Sequence, residues 1–324
     1  DMDPGFRIAN DTEAALLRDD MMAEVLEEAY GGNEKAKVYR LIDSFTSDRD
    51  DQAIEVLIAQ LYSMSRVNPE PTKWLDMLPQ QYDLGEVKVI DDLPLVETIR
   101  QSLMHNIEGA IQLIQQMRHL ALQPNGPDAL GGTAEKDLEQ LTIARKIIST
   151  DDWQTAYEFF QGFKWGRLAS QKKDTCDENL KDLAKDKRDQ AKKLIADSIA
   201  IYFQRAPDNL LKEIAEMKPV IETLVELTKK FGERYAATKA EKGLIDFSDL
   251  EHFALAILAE EIDGELQPTA VAHDYKQHFA EVLVDEYQDT NKLQETLLQL
   301  IKRGDAHDGN MFMVGDVKQS IVRP

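Results

Sequence analysis

The chain has 324 residues, of which 43% are apolar, and its 60 acidic residues against 38 basic ones give a formal charge of −22. This apolar content is enough to bury a core in one large domain or two, so the composition excludes a disordered protein. Neutralising phosphates requires clustered lysine and arginine, so the charge excludes a surface that binds nucleic acid everywhere. The single cysteine, Cys176, excludes an intramolecular disulfide. Without a signal peptide or an apolar run of about 18 residues, a soluble, cytoplasmic protein is expected.

The first half of the chain predicts helices almost throughout, because its apolar residues recur at helical rather than alternating spacing. Proline and glycine clusters mark where these helices begin and end. The predicted helices are one capped by Asn10 and ending at Gly31-Gly32, one around Ile54–Leu61, a short one opened by Pro71, a long one from about Pro94 that is broken by Pro124–Pro127 and Gly131-Gly132, and two shorter ones over 134–149 and 151–162.

A stretch rich in basic and aromatic residues follows these helices. It runs from Phe163 through Arg167 and is the best local candidate for DNA contact, with Lys164 and Arg167 as the contacting residues. The alternative interpretation is a solvated helix face, because acidic residues are interspersed with the basic ones further along. Two long charged helices are then predicted over 176–205 and 207–238.

The composition changes near Lys242-Gly243. Ser248 and Glu251 have the spacing of a capping box for the next helix. A strand is predicted over Glu281–Val284, a helix opened by Asn291 follows, and a second strand covers Met311–Val314. This alternation of strand, helix and strand predicts a parallel crossover unit.

Polar residues follow directly at the carboxyl end of each predicted strand. Asp285 and Glu286 come after the first strand, which reads as buried, and Gly315 and Asp316 come after the second. Ligands of parallel α/β sheets bind at that edge. In a strand-end pair of carboxylates, one group can hold magnesium directly or through water while its neighbour takes a proton from the attacking water.

These two segments, DEYQDT over Asp285–Thr290 and VGDVKQSI over Val314–Ile321, resemble motifs II and III of superfamily 1 DNA helicases of the UvrD/Rep type. Within that superfamily they are most similar to the AddA-type helicase/nuclease subunits. The segment DFSDLE over Asp246–Glu251 and the stretches DPGFRIA from Asp3 and NPEPTKWL from Asn68 are similar to the same proteins.

The resemblance implies a role for each matching residue. Glu286 and Gln319 would be catalytic, Asp285 and Glu286 would hold the metal, and Lys318 and Arg323 would contact DNA. The residues expected to bind the nucleotide are Asp285, Gln288, Asp289, Gly315, Asp316 and Gln319. The third motif departs from the family at Val322 and Pro324, where aromatic residues are usual and could stack on a base.

The resemblance also implies a fold that is mainly α with an α/β portion. Residues 1–240 would form a helical accessory domain like domain 1B of these helicases, and residues 241–324 part of a RecA-like motor domain. The implied cofactors are ATP and Mg, and the implied partners are DNA, as single strand and duplex end, and an AddB-type second subunit. Since no glycine-rich loop ending in Gly-Lys-Ser/Thr is present, we expect a fragment that is inactive alone.

Two other functions are compatible with the same residues. A metal-dependent nuclease could use Asp285, Glu286 and Asp289 as two-metal ligands, which predicts DNA cleavage without nucleotide. A non-catalytic helical scaffold would instead use residues 1–240 to dock a partner protein.

Overall fold

The computed structural model describes residues 5–46, 52–171, 175–304 and 308–316. Most of these residues are helical, which confirms the predicted fold class, mainly α with an α/β portion. The α-helices are α1 (Asp11–Gly31), α2 (Lys35–Phe45), α3 (Gln52–Arg66), α4 (Pro71–Gln80), α5 (Pro94–Ala121), α6 (Ala129–Thr150), α7 (Trp153–Gln161), α8 (Glu178–Tyr202), α9 (Pro207–Glu241), α10 (Phe247–Leu258), α11 (Ala270–His278) and α12 (Lys292–Ile301).

The strands in the described ranges are short and pair two by two. The first and third pairs are parallel, and the second is an antiparallel hairpin. Parallel pairing of the third pair confirms the predicted strand, helix and strand unit. The strands are β1 (Arg7–Ile8) with β2 (Leu244–Ile245), β3 (Ala259–Ile262) with β4 (Glu265–Pro268), and β5 (Val282–Val284) with β6 (Met311–Met313).

The chain divides into two compact units. Unit 1 comprises the described parts of Asp1–Asp83 and Met217–Pro324, and unit 2 comprises Leu84–Glu216. This division follows compactness, whereas the division into residues 1–240 and 241–324 follows sequence resemblance and stays a prediction.

Unit 1 has a helical core and a smaller α/β core. In the helical core, Val25 of α1, Leu41 of α2, Ile58 of α3 and Phe231 of α9 are fully buried, because apolar residues recur every three or four positions on these helices. The smaller core forms where α10, α11 and α12 pack together, and Leu293 is fully buried there.

Unit 2 is built around α5, which packs against both α6 and α8. Leu103, Ile107, Ile114 and Met117 of α5 are fully buried, which confirms the apolar stripe predicted for this helix. Stacked aromatic rings extend the core, with Phe203 4.5 Å from Phe160 and 5.1 Å from Trp153 between ring centroids.

Two local predictions are wrong. Gly131-Gly132 does not break a helix but lies in the first turn of α6, where Gly131 is buried, so tertiary packing overrides the low helix propensity of glycine. The capping box of α10 is formed by Asp246 and Asp249 instead of Ser248 and Glu251. Ser248 is displaced from this role because its hydroxyl accepts a hydrogen bond from Arg66.

The β3–β4 hairpin was not predicted. Its turn is Asp263-Gly264, and both residues have positive φ angles, of 54° and 84°. Asp-Gly is a frequent pair in two-residue hairpin turns, because both positions there require the left-handed region. No helix within the described ranges is long and apolar enough to cross a membrane.

Candidate functional site

The strand that leads into the acidic turn is buried on one face only. Val282 is buried, whereas the side chain of Leu283 is 69% exposed, so the prediction of a fully buried strand is wrong. The same is true of β6, where Phe312 is 63% exposed. The described residues form only a two-stranded sheet here, and a sheet of that size leaves alternate side chains uncovered.

The carboxyl ends of β5 and β6 lie side by side, as the sequence predicts. Val284 is paired with Met313 in the parallel register. Beyond the strands, the amide of Val314 donates to the carbonyl of Val284 at 2.9 Å, and the amide of Tyr287 donates to the carbonyl of Val314 at 2.9 Å. The two predicted motifs are therefore joined by backbone hydrogen bonds.

Gln288 adds a side-chain bridge between the two motifs. Its Oε1 accepts a hydrogen bond from the amide of Asp316 at 2.9 Å, and its Nε2 donates to Oε2 of Glu286. Gly315 allows this approach, because a Cβ atom at that position would lie 2.7 Å from Oε1 of Gln288. One side chain thus contacts both the carboxylate of the first motif and the backbone of the second.

The two adjacent carboxylates are exposed and differ in backbone conformation. Oδ1 of Asp285 accepts a hydrogen bond from the amide of Glu286 at 2.9 Å. Glu286 lies in the left-handed region, with φ 52° and ψ 39°. A non-glycine residue held in this region is strained, and such residues cluster at functional sites. The turn therefore presents two oxygen ligands from consecutive residues at the sheet edge.

Helix α12 holds the far side of this turn. Tyr287–Asp289 forms a short 3-10 helix, and Asn291 caps α12 in a capping box with Gln294, which confirms the predicted helix start. The hydroxyl of Tyr287 donates to Oε1 of Glu295 at 2.9 Å, and this hydrogen bond raises the pKa of Tyr287 above its ordinary value.

Several predicted site residues lie outside the described part of the chain. They are Gln319, Lys318 and Arg323, together with the atypical Val322 and Pro324. Among the predicted residues that are described, the structure brings together Asp285, Glu286, Gln288, Asp289, Gly315 and Asp316.

The other predicted DNA contacts, Lys164 and Arg167, lie in unit 2. Both side chains are exposed, and their segment is a loop rather than a helix face. The loop is fixed to the unit, because the amide of Gly166 donates to Oδ1 of Asp137 at 2.8 Å. Asp137 also pairs with Nε of Arg188 at 2.7 Å, and both side chains of this pair are buried.

The donor set at the sheet edge suits magnesium. Mg²⁺ prefers carboxylate oxygens, commonly one or two of them, and keeps several of its waters. Asp285 and Glu286 offer such oxygens on exposed side chains. Over the ranges that the structure describes, no group of three or more histidine, cysteine or acidic side chains has a geometry for holding a metal. A pair of ligands completed by water or phosphate is therefore the arrangement that fits.

The sequence did not reveal two residues of this site. Glu295 was not singled out, although it lies eight residues after Tyr287 and on the exposed side of the predicted helix. Gly315 was assigned to nucleotide binding by resemblance, and its close packing against Gln288 follows only from the tertiary structure. No sequence pattern indicates the left-handed conformation of Glu286.

The chain is similar to longer curated proteins that are all described as ATP-dependent helicase/nuclease subunits of the same type. It is 54% identical over its whole length to the protein of that description from Lysinibacillus sphaericus (strain C3-41). It is 42% identical to the one from Bacillus pumilus (strain SAFR-032) and 41% identical to the one from Bacillus thuringiensis subsp. konkukian (strain 97-27). In each case the chain spans 26% of the relative's length.

A family model supports the same relationship over a narrower range. The model of the UvrD/REP helicase N-terminal domain matches residues 131–323, which is more than half of the chain and includes both motifs of the site. The chain therefore belongs to the UvrD/REP helicase N-terminal domain family.

Proposed function

We propose that this chain is part of an ATP-dependent DNA helicase/nuclease subunit of the AddA type and carries its metal-binding and water-activating carboxylates. The observation that carries the proposal is the junction of the two motifs. The amide of Tyr287 contacts the carbonyl of Val314, and Gln288 contacts both Glu286 and the amide of Asp316. Such convergence at the carboxyl ends of parallel strands supports a ligand site there.

Each carboxylate has a proposed role. Asp285 would hold the magnesium ion directly or through water, and Glu286 would accept a proton from the water that attacks the γ-phosphate. The ion, when bound, would neutralise charge on the phosphates. Gln288 would orient Glu286, because its amide hydrogen-bonds to that carboxylate. Asp289, Gly315, Asp316 and Gln319 would complete the nucleotide contacts.

The activity of the whole protein is proposed from its relatives. Their description as helicase/nuclease subunits supports DNA as the substrate, engaged as a single strand and a duplex end, and an AddB-type protein as the second subunit. Such a complex would act in double-strand break repair and recombination. Residues 1–240 would form the accessory domain and residues 241–324 part of the motor domain.

The proposal is tested by ATP hydrolysis in the full-length gene product that contains this chain. We expect Glu286→Gln to lower kcat by roughly 10²- to 10⁴-fold, the contribution of a general base, because the amide cannot take the proton. Glu281→Gln is the matched control, since Glu281 is also exposed but precedes β5 at its opposite end. Equal effects of the two substitutions would contradict the assigned base.

The same preparations distinguish the nuclease alternative. A two-metal nuclease at Asp285, Glu286 and Asp289 would cleave DNA with Mg²⁺ or Mn²⁺ in the absence of nucleotide. The helicase proposal expects that Glu286→Gln abolishes ATP-driven unwinding and leaves any nucleotide-independent cleavage unchanged. Loss of that cleavage in the variant would favour the nuclease.

A further inference from the structure

The end of α3 meets the first turns of α10 and α12 in a polar cluster outside the candidate site. We call this cluster the α3 junction. It lies wholly within unit 1 and comprises Arg66, Val67, Ser248, Asp249, His252 and Leu293.

The guanidinium of Arg66 binds the amino-terminal turn of α10. Its Nε donates to Oγ of Ser248 at 2.8 Å, and an Nη donates to Oδ1 of Asp249 at 3.1 Å. The two charged side chains are only 21% and 14% exposed. Asp249 is fixed in turn by Lys239 and by the capping box with Asp246. The charge of Arg66 therefore contacts a carboxylate that is held from several directions.

The last carbonyls of α3 are also satisfied by other elements. Helix ends leave four carbonyl groups without intrahelical partners. The carbonyl of Arg66 accepts a hydrogen bond from Nε2 of His252 at 2.9 Å. The carbonyl of Val67 accepts one from the amide of Leu293 at 2.9 Å. One end of α3 thereby fixes both α10 and the first turn of α12.

The first turn of α12 is the element that holds the acidic turn. Leu293 is fully buried, and α12 begins two residues after Thr290, the last residue of DEYQDT. The hydroxyl of Tyr287 reaches Glu295 on the same helix. A displacement of α12 would therefore move the backbone that carries Glu286.

We propose that Arg66 is a positioning residue for the candidate nucleotide site, acting through α10 and α12, an inference that rests on the proposed function. Arg66 contacts none of the carboxylates at the sheet edge. Its role is to keep the α3 junction closed, so that α12 begins at a fixed place relative to β5. Loss of Arg66 opens the junction and misplaces Glu286, while the nucleotide contacts elsewhere remain.

The test compares Arg66→Ala and Arg66→Lys in the full-length gene product. Arg234→Ala is the matched control, because Arg234 is a unit 1 arginine that is 38% exposed and pairs with Glu24 and Glu28. We expect Arg66→Ala to lower kcat for ATP on the order of tenfold, since small misplacements of reacting groups cost that much or more. KM for ATP should change by less than about twofold.

Arg66→Lys should fall between wild type and Arg66→Ala, because lysine keeps the charge but not the two-pronged contact to Ser248 and Asp249. Hydrogen exchange gives a readout that is independent of catalysis. The amide of Leu293 should exchange on the order of tenfold faster in Arg66→Ala, and it should be unchanged in Arg234→Ala.

A double-mutant cycle with Tyr287→Phe tests the path through α12. If Arg66 acts through this helix, the two effects on kcat will be smaller together than their product. Multiplicative effects, or unchanged exchange at Leu293, would overturn the inference. If the wild-type protein hydrolyses no ATP, the proposed function fails, and the exchange measurement still decides whether Arg66 closes the junction.

Discussion

Replacing Lys239 with methionine should destabilise unit 1 far more than a matched change on the same helix. The Lys239 side chain is 3% exposed and bridges Asp246, at 2.7 Å, and Asp249. Its ammonium also lies 4.4 Å from the centroid of the Tyr235 ring. Burial raises the pKa of Tyr235 to about 12, so this ring stays uncharged at neutral pH.

The expected magnitude follows from the burial of the groups. Removing one partner of a buried ion pair costs about 3–5 kcal/mol. The carboxylates of Asp246 and Asp249 are 25% and 14% exposed, and Asp249 keeps Arg66 as a partner. We therefore expect the lower end of the range, about 3 kcal/mol. Lys230 pairs with Glu28 at the surface, so Lys230→Met should cost about 0–1 kcal/mol.

The assay is urea unfolding of each variant, followed by circular dichroism across a pH series. Burial alone would raise the pKa of Asp246, but the hydrogen bond and charge of Lys239 outweigh it and hold that pKa below its ordinary value. The stabilisation is therefore complete above the unfolded carboxylate pKa of about 3.9 and is lost as the pH falls through the folded pKa. Equal costs for the two lysines at pH 7 would refute this reasoning, as would a cost for Lys239→Met that does not shrink below about pH 4.

Three further predictions concern other parts of the molecule. Burial lowers the pKa of His252, so its stabilisation should be lost as the pH falls below about 6.5, and His252→Gln should flatten the dependence of the urea midpoint on pH. Gly315→Ala places a Cβ atom 2.7 Å from Oε1 of Gln288, so hydrogen exchange at the Asp316 amide should accelerate while the overall melting temperature stays nearly unchanged. Arg188→Met leaves the buried carboxylate of Asp137 unpaired, and calorimetry should show unit 2 destabilised by about 3–5 kcal/mol.

Local patterns were sufficient to predict the helices and the sheet edge. The stripe from Leu103 to Met117 predicted α5, because burial of one helix face repeats every three or four residues. The alternation of strand, helix and strand predicted the parallel pairing of β5 and β6, which brings Asp285 close to Gly315. The Asp263-Gly264 turn also had a usable signal, an Asp-Gly pair, that did not lead to a predicted hairpin.

Contacts between residues far apart in sequence could not be predicted in this way. Arg66 and Ser248 are 182 positions apart, and neither belongs to a pattern that specifies the other. The wrong capping box at Ser248 has the same origin, because a tertiary partner occupies the hydroxyl that local spacing assigned to the helix end. The strained backbone of Glu286 likewise depends on the pairing of two strands and on α12.

The most direct test of the central claim is a crystal structure of the full-length gene product with Mg²⁺ and a non-hydrolysable ATP analogue. We expect the ion to be ligated by Asp285 at about 2.1 Å, or through one water, with Glu286 facing the γ-phosphate. An ion and nucleotide bound on other elements, with Asp285 and Glu286 in contact with neither, would contradict the assignment of this sheet edge as the nucleotide site.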